Sequence, residues 1–334
     1  MNNVGTSPIR TQRLELRRLK VSDAGAVFSW AGNEENTKYM SFKTHSSIAD
    51  AQKFLRAVKY TRKTFEWGIS LDGKLIGSIG AYRRGAYSAE VGYILHRDYW
   101  GKGYTTEALK AVVHYLIADA GFNRVFACHH PGNPASGRVQ VKAGMKYEGV
   151  MRGHAKFKGK EFADTPLYAI TAEDIFGHAR PLPENELQTG HSLFSGGAGD
   201  LSYSYVSAEK EPDNEVDYNY DINLNGKKIG HLRLTFGSSR SLYYLGQVGY
   251  TIEEKYRGNG YAQKAVRMIM PAAYAAGFER FIITCNPGNA ASVKTIENLG
   301  GELIRIADIP KGHYLYKQGE RVKRVYEVRV MKND

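Results

Sequence analysis

Apolar and polar residues alternate along "WGISLDGKLIGSIGAY" (67–82) and again along "YDINLNGKKIGHLRLTF" (220–236). Asp72-Gly73 and Asn225-Gly226 interrupt the two patterns midway, and such pairs suit the positive φ angles of a tight hairpin turn. Each stretch therefore predicts two antiparallel strands. A third strand follows in each case, "AEVGYIL" (89–95) and "GQVGYTI" (246–252). Helical periodicity then runs from Thr105 to about Ala120 and from Ala262 to about Ala276, each closing at a Gly-Phe pair. A β-rich strand comes next, Val125-Phe126-Ala127 or Phe281-Ile282-Ile283. An Asn-x-x-Ser turn, a short helix and a glycine stop at Gly144 or Gly300 lead into final strands such as "YLYKQGERVKRVYEVRV".

The two series are one series repeated. Gly92-Tyr93 matches Gly249-Tyr250, and Gly101-Lys102-Gly103-Tyr104 matches Gly258-Asn259-Gly260-Tyr261, at an offset of 157 residues. Asn133 and Ser136 match Asn289 and Ser292 at 156, so one residue is lost in between. A period this long marks a duplicated domain, not a solenoid of short units. Only the first copy has an N-terminal arm, residues 10–65, where "VSDAGAVFSWAGN" and "SIADAQKFLRAVKYTRK" predict two helices, each opened by a serine cap. Domains are expected at 1–178 and 199–334. The Pro-, Gly- and polar-rich segment 179–198 is expected to be the linker. The tyrosines of "LSYSYVSAEKEPDNEVDYNYD" suit strand packing or a pocket lining.

Composition narrows the class. The 334 residues are 42% hydrophobic and 24% charged, as in a globular protein. No apolar run approaches the roughly 18 residues of a membrane helix, and the N-terminus lacks a basic-then-apolar leader, which points to the cytoplasm. Cys128 and Cys285 are isolated in apolar runs and are expected to be reduced; no metal-ligand spacing is present. The net charge of +12 favours an anionic partner, whether a phosphorylated cofactor or an acidic protein. Lysine and arginine are dispersed, so no specific nucleic-acid module is expected.

A strand ending in Gly-Tyr, a GxG loop opening a helix, and Asn-x-x-Ser about 30 residues on resemble the GNAT acyltransferase superfamily. The first copy, over residues 9–175, resembles its RimJ/RimL-like branch; the second, over 215–330, resembles the superfamily more distantly. The resemblance implies an α/β fold of two tandem domains, the second without the helical arm. Each would be a mixed, mostly antiparallel sheet flanked by helices, its two central strands splayed to admit the pantetheine arm of acetyl-CoA. The sequence departs from the family at Asp98 and Lys255, where Gln or Arg is common. It departs again at Gln140 and Ile296, where a tyrosine commonly protonates the leaving thiolate.

The glycine loops fit that chemistry. Without Cβ atoms, backbone N–H groups can turn toward a pyrophosphate, and a helix N-terminus adds favourable partial charge. Neither loop continues as a Walker loop, and neither is a Rossmann fingerprint. The first cradle is expected from Trp100, Gly101, Lys102, Gly103, Tyr104 and Thr105, the second from Arg257, Gly258, Asn259, Gly260 and Tyr261. The strand segments Tyr93-Ile94-Leu95 and, in the second copy, Ile252 would carry the backbone groups facing the cofactor. Glu90 stands where several family members place a base, with His129, His130 and His154 as rivals; Gln247 holds that position in the second copy and cannot accept a proton. By resemblance, Ser136 would protonate the thiolate and Asn133 would bond the pantetheine amide. Asn133, Asn289, Ser136 and Ser292 are equally good helix caps. The expected activity is acetyl transfer from acetyl-CoA to a primary amine of a peptide, protein or small molecule, mainly by the first domain. The alternative is an acetyl-CoA-binding regulatory protein with little turnover.

Overall fold

The computed structural model describes residues 4–58, 64–158, 162–177, 195–211, 213 and 215–331. The chain divides into two units, Met1–Ile175 and Phe176–Asp334. No described helix is long and apolar enough to cross a membrane.

The first unit runs β1 (Ile9–Arg10), β2 (Leu14–Arg17), α1 (Ala24–Ala31), α2 (Glu34–Thr37), α3 (Ile48–Ala57), β3 (Thr64–Leu71), β4 (Lys74–Arg83), β5 (Ser88–Leu95), α4 (Tyr104–Ala118), β6 (Arg124–Cys128), α5 (Pro134–Lys142), β7 (Lys146–Lys156) and β8 (Phe162–Thr171). A further helix, α6 (Ala172–Phe176), spans the boundary between the units. The sheet order is β1-β2-β3-β4-β5-β6-β8-β7. All its pairs are antiparallel except β5–β6, where the parallel ladder joins only Ser88–Glu90 to Arg124–Phe126. Beyond Glu90, β5 has β4 on one side and no ladder on the other. Asp72 and Gly73 take φ of 49° and 79°, the expected hairpin geometry.

One sheet face is covered by α4, whose Leu109, Val112, Val113 and Leu116 are fully buried. The ring of Tyr115 meets Trp67 edge-on at 5.6 Å. The helical arm forms a second core on Leu19, Val27, Trp30, Leu55 and Leu75. Ser47 caps α3 as expected, with Asp50 returning a hydrogen bond to its backbone. Ser22 does not cap α1. It lies in a 3-10 turn, Val21–Asp23, whose Asp23 accepts from the Lys20 N–H (2.7 Å) and pairs with Arg17 (2.8 Å). Asp23 then directly precedes α1 and gives it no side-chain cap.

The second unit runs β9 (Ser195–Ala198), β10 (Leu201–Glu211), β11 (Glu215–Leu224), β12 (Lys227–Phe236), α7 (Leu242–Leu245), β13 (Val248–Ile252), α8 (Tyr261–Ala275), β14 (Arg280–Cys285), α9 (Ala290–Asn298), β15 (Glu302–Asp308), α10 (Tyr314–Lys317) and β16 (Val322–Arg329). The segment expected to be linker lies, up to residue 194, outside the described residues; its last four residues form β9 and pair with β10. Tyr314–Lys317, expected as strand, is helical, and the last strand starts at Val322. No helix separates β10 from β11, so the arm is absent, and Tyr203, Tyr218 and Tyr220 pack in the core.

The strands of this unit form two groups, β13-β12-β11-β10-β9 and β14-β16-β15, where a single sheet was expected. Gln247 bridges them. Its N–H donates to the Ile282 carbonyl (2.7 Å), its side-chain oxygen accepts from the Ile282 N–H (2.8 Å), and its amide nitrogen donates to the Phe176 carbonyl (3.2 Å). One side chain thus replaces part of a ladder. Gln247→Ala strands a buried N–H and a carbonyl and is expected to cost about 2 kcal/mol or more. Urea denaturation measures it, and an unmoved midpoint would refute the bridge.

Candidate acetyl-CoA site

Both loops require glycine. Gly101 and Gly103 have φ of 76° and 81°, and Gly258 and Gly260 have 83° and 72°, the left-handed region that side chains resist. Gly103 and Gly260 are the residues preceding α4 and α8 and supply no side-chain cap. The first-turn N–H groups of Tyr104 and Thr105, and of Tyr261 in the second unit, therefore have no partner within their helices. An acceptor-rich pyrophosphate suits such an array.

The loops are tied to the preceding strand by their side chains, not only by their glycines. Trp100 Nε1 donates to the Leu95 carbonyl at 2.8 Å; at the same place in the repeat, Arg257 Nε donates to the Ile252 carbonyl at 3.0 Å. Asn36 on α2 adds a second donor to Leu95 at 2.6 Å. Lys102 Nζ is turned back onto the Asp98 carbonyl (3.0 Å), and Asn259 onto the Tyr256 and Arg257 carbonyls (3.1 and 3.3 Å). These four side chains, expected as cofactor contacts, shape the cradle.

The first loop has a brace that the loop motif does not contain. Arg13 donates to Glu107 Oε2 (2.7 Å) and to the Lys102 carbonyl (3.1 Å), and its guanidinium lies over the Tyr104 ring at 4.6 Å. Glu107 also accepts from the Thr11 hydroxyl (2.6 Å) and the Arg13 N–H (2.8 Å). The second copy carries Lys264 in place of Glu107, and its ammonium sits over Tyr261 at 5.6 Å.

Alternation along β5 sorts its backbone groups. His96 N–H donates to the Ile76 carbonyl, so the N–H groups of Ile94 and Gly92 face β4. Those of Tyr93 and Leu95 face the side without a ladder. Ile94 thus drops out as a backbone donor to the gap.

At that gap two hydroxyls meet. Tyr93 Oη lies 2.8 Å from Ser136 Oγ and donates to the Ser136 carbonyl at 3.1 Å. Burial pushes the Tyr93 phenol up to about 12, against hydrogen bonds from Ser136 and Gln140, so it stays protonated at working pH. Sequence reasoning cast Tyr93 as a backbone contact and missed its hydroxyl; the signal was the tyrosine kept in both "VGY" copies. In the second unit, burial likewise raises the Tyr250 phenol, opposed by the nearby Ser292 and Thr295 hydroxyls, which stop short of hydrogen-bond distance. Asn133 and Asn289 both act as caps, accepting from the N–H of Ser136 (3.3 Å) and Ser292 (3.0 Å).

Glu90 is half-buried at the start of the gap and paired with Arg84 at 2.8 Å. The histidines lie elsewhere. His129 is buried, not a surface histidine, with Nδ1 on the His130 carbonyl. His130 packs between Tyr39 and Phe157, and His154 bonds the Thr165 hydroxyl. Among the described residues none of the three hydrogen-bonds Glu90, Tyr93 or Ser136. Burial raises both thiols, Cys128 and Cys285, which keeps them in the unreactive protonated form.

Comparison with known proteins places the sequence in a family. A family model described as an acetyltransferase (GNAT) domain matches residues 13–146 and 178–302. The uncharacterized N-acetyltransferase YoaA of Bacillus subtilis is 33% identical over 169 residues, 48% of this chain and 95% of that protein. The ribosomal-protein-serine acetyltransferase of Escherichia coli is 27% identical over 132 residues, 35% of this chain and 73% of that protein. An acetyltransferase (GNAT family) structure from Bacillus anthracis is 26% identical with a TM-score of 0.46, covering 49% of this chain and 98% of its own. Because the family model matches twice and covers most of the sequence, the chain belongs to the GNAT family: it is an N-acetyltransferase with two GNAT regions, and its acyl donor is acetyl-CoA.

Proposed function

We propose that the first unit is the catalytic one and acetylates the α-amine of a peptide or protein. The observation that carries this reading is the Tyr93–Ser136 hydroxyl pair at the open side of β5, with the Glu90 carboxylate on the same strand. Bound acetyl-CoA supplies an activated acetyl thioester. The Gly101–Thr105 backbone, braced by Arg13 through Glu107 and the Lys102 carbonyl, would hold its pyrophosphate end. The N–H groups of Tyr93 and Leu95 present dipoles to a carbonyl oxygen where charge develops. Tyr93 and Ser136 hold a proton ready for a leaving sulfur. The peptide or protein acceptor is carried over from the serine acetyltransferase of Escherichia coli, whose name states a ribosomal-protein substrate.

A specific observation also favours binding without turnover in the second unit. It keeps the glycine loop geometry, but Gln247 replaces Glu90 and is consumed by the bridge to Ile282. Titration calorimetry with acetyl-CoA tests both statements. Wild type is expected to show two sites, Gly103→Trp to lose one, and Gly260→Trp to lose the other. Only Gly103→Trp should abolish acetylation of peptides with N-terminal serine or alanine. Turnover that vanishes with Gly260→Trp instead would reverse the assignment.

A further inference from the structure

One row of residues crosses three strands of the first unit: Glu66 on β3 is paired with Gly80 on β4, and Gly80 with Gly92 on β5. Partners in register share a sheet face. The two glycines make this row a lane. A Cβ at Gly80 would collide with Glu66 Oε2, so the carboxylate lies across Gly80. A Cβ at Gly92 would meet nothing within 4 Å, so the space above it is open. Gly92 is the next strand over, about 4.8 Å away. It also lies in the part of β5 that has no ladder on its far side.

Glu66 is 5% exposed, and no arginine or lysine pairs with it among the described residues. The hydroxyls of Ser78 and Tyr82 donate to it. The charged and titratable groups facing it are Tyr82 and, beyond Tyr82, the Glu90–Arg84 pair. A buried carboxylate with no cation beside it, aimed along a lane toward open space, is poorly explained by stability.

The second unit supplies the contrast. Its matching row is Asn219, Arg233 and Gly249. The carboxylate is replaced by an amide, and an arginine replaces the middle glycine. Arg233 Nε lies 3.4 Å from where a Gly249 Cβ would stand, and Arg233 pairs with Asp217 at 3.5 Å. There the lane is plugged by a cation, which would repel an ammonium.

We propose that Glu66 is the proton acceptor for the acceptor amine, which enters as an ammonium and is seated over Gly92. The ammonium loses one proton to the carboxylate, giving a neutral amine with a free lone pair and a carboxylic acid held by Ser78 and Tyr82. Glu90, engaged by Arg84, flanks the entrance. Burial lifts the Glu66 carboxyl to about 7, near the value that suits a base at neutral pH. This assignment rests on the acetyl-transfer reading of the first unit.

The test measures turnover of peptides with N-terminal serine or alanine from pH 5.5 to 9, in wild type, Glu66→Gln and Glu90→Gln. Glu66→Gln is expected to lower kcat about 100-fold or more and to remove the limb that rises through about pH 7, while calorimetric affinity for acetyl-CoA holds. Glu90→Gln keeps that limb. Gly92→Val, which only fills the space over the lane, raises the peptide KM by about tenfold or more and leaves acetyl-CoA binding unchanged. Wild-type turnover with an unaltered profile in Glu66→Gln, or an unaltered KM in Gly92→Val, overturns the assignment alone. A wild type that acetylates none of the peptides overturns the peptide α-amine reading of the first unit and the assignment together.

Discussion

Tyr93→Phe lowers kcat by about 100-fold while leaving acetyl-CoA affinity within a few-fold of wild type. The hydroxyl removed is 2.8 Å from Ser136 Oγ, and the ring itself stays in place. What is lost is the proton source for the departing sulfur, a requirement of the transition state and not of binding. Ser136→Ala is expected to cost a similar factor. The two groups act as one, so the double variant should be no worse than the poorer single variant. Multiplying losses would mean independent roles. Tyr250→Phe, in the unit where Gln247 stands in place of Glu90, should leave turnover unchanged. Steady-state kinetics on a peptide substrate decides all four outcomes, and an active Tyr93→Phe would end the proton-donor role.

Successive residues of a strand point to opposite faces, so Tyr93 and Gly92 open onto different sides of the sheet. On the proposed assignments the amine would sit over Gly92, on the Glu66 side, and the leaving sulfur beside Tyr93, on the side that carries Ser136. The open edge of β5 lies between them. On that proposal the proton acceptor and the proton donor would approach the reacting carbon from opposite faces of the sheet.

The duplicated architecture was legible because its signals are local. Asp72-Gly73, the GxG loops and the Asn-x-x-Ser turns each act within a few residues. The groups that proved hardest to read act across strands. Glu66 lies in an alternating run where a buried carboxylate looks like an exposed strand charge; only the register with Gly80 and Gly92 gives it meaning. Arg13 stands 90 residues before the loop it braces. Gln247 read correctly as unable to serve as a base, yet its part in joining two strand groups depends on Ile282 across the fold. The Ser22 cap failed because Ser22 is taken into a 3-10 turn, Val21–Asp23, ahead of α1.

Glu66→Gln should also make the protein more stable relative to wild type as pH rises. The carboxyl goes from its ordinary 4.5 to about 7 on folding, through burial that Ser78 and Tyr82 only partly offset. Between those values the folded chain keeps a proton that the unfolded chain has released. Unfolding then liberates a proton, so stability falls from about pH 4.5 to about pH 7 and is level above. A shift of this size corresponds to about 3 kcal/mol at 1.36 kcal/mol per unit. Glutamine fills the same space, still accepts from the two hydroxyls, and has no charge to desolvate. Most of that change falls between pH 5 and pH 8, so calorimetric melting should show the variant's Tm gaining on wild type by roughly 5–10 °C over that range, at about 2–4 °C per kcal/mol for a unit of this size. Parallel Tm curves would mean that Glu66 is ordinary in its titration and unfit as the base. A gap that widens as the kcat limb disappears would tie one carboxylate to both observations, since the burial that strains it in the folded chain is also what tunes it to take a proton at neutral pH.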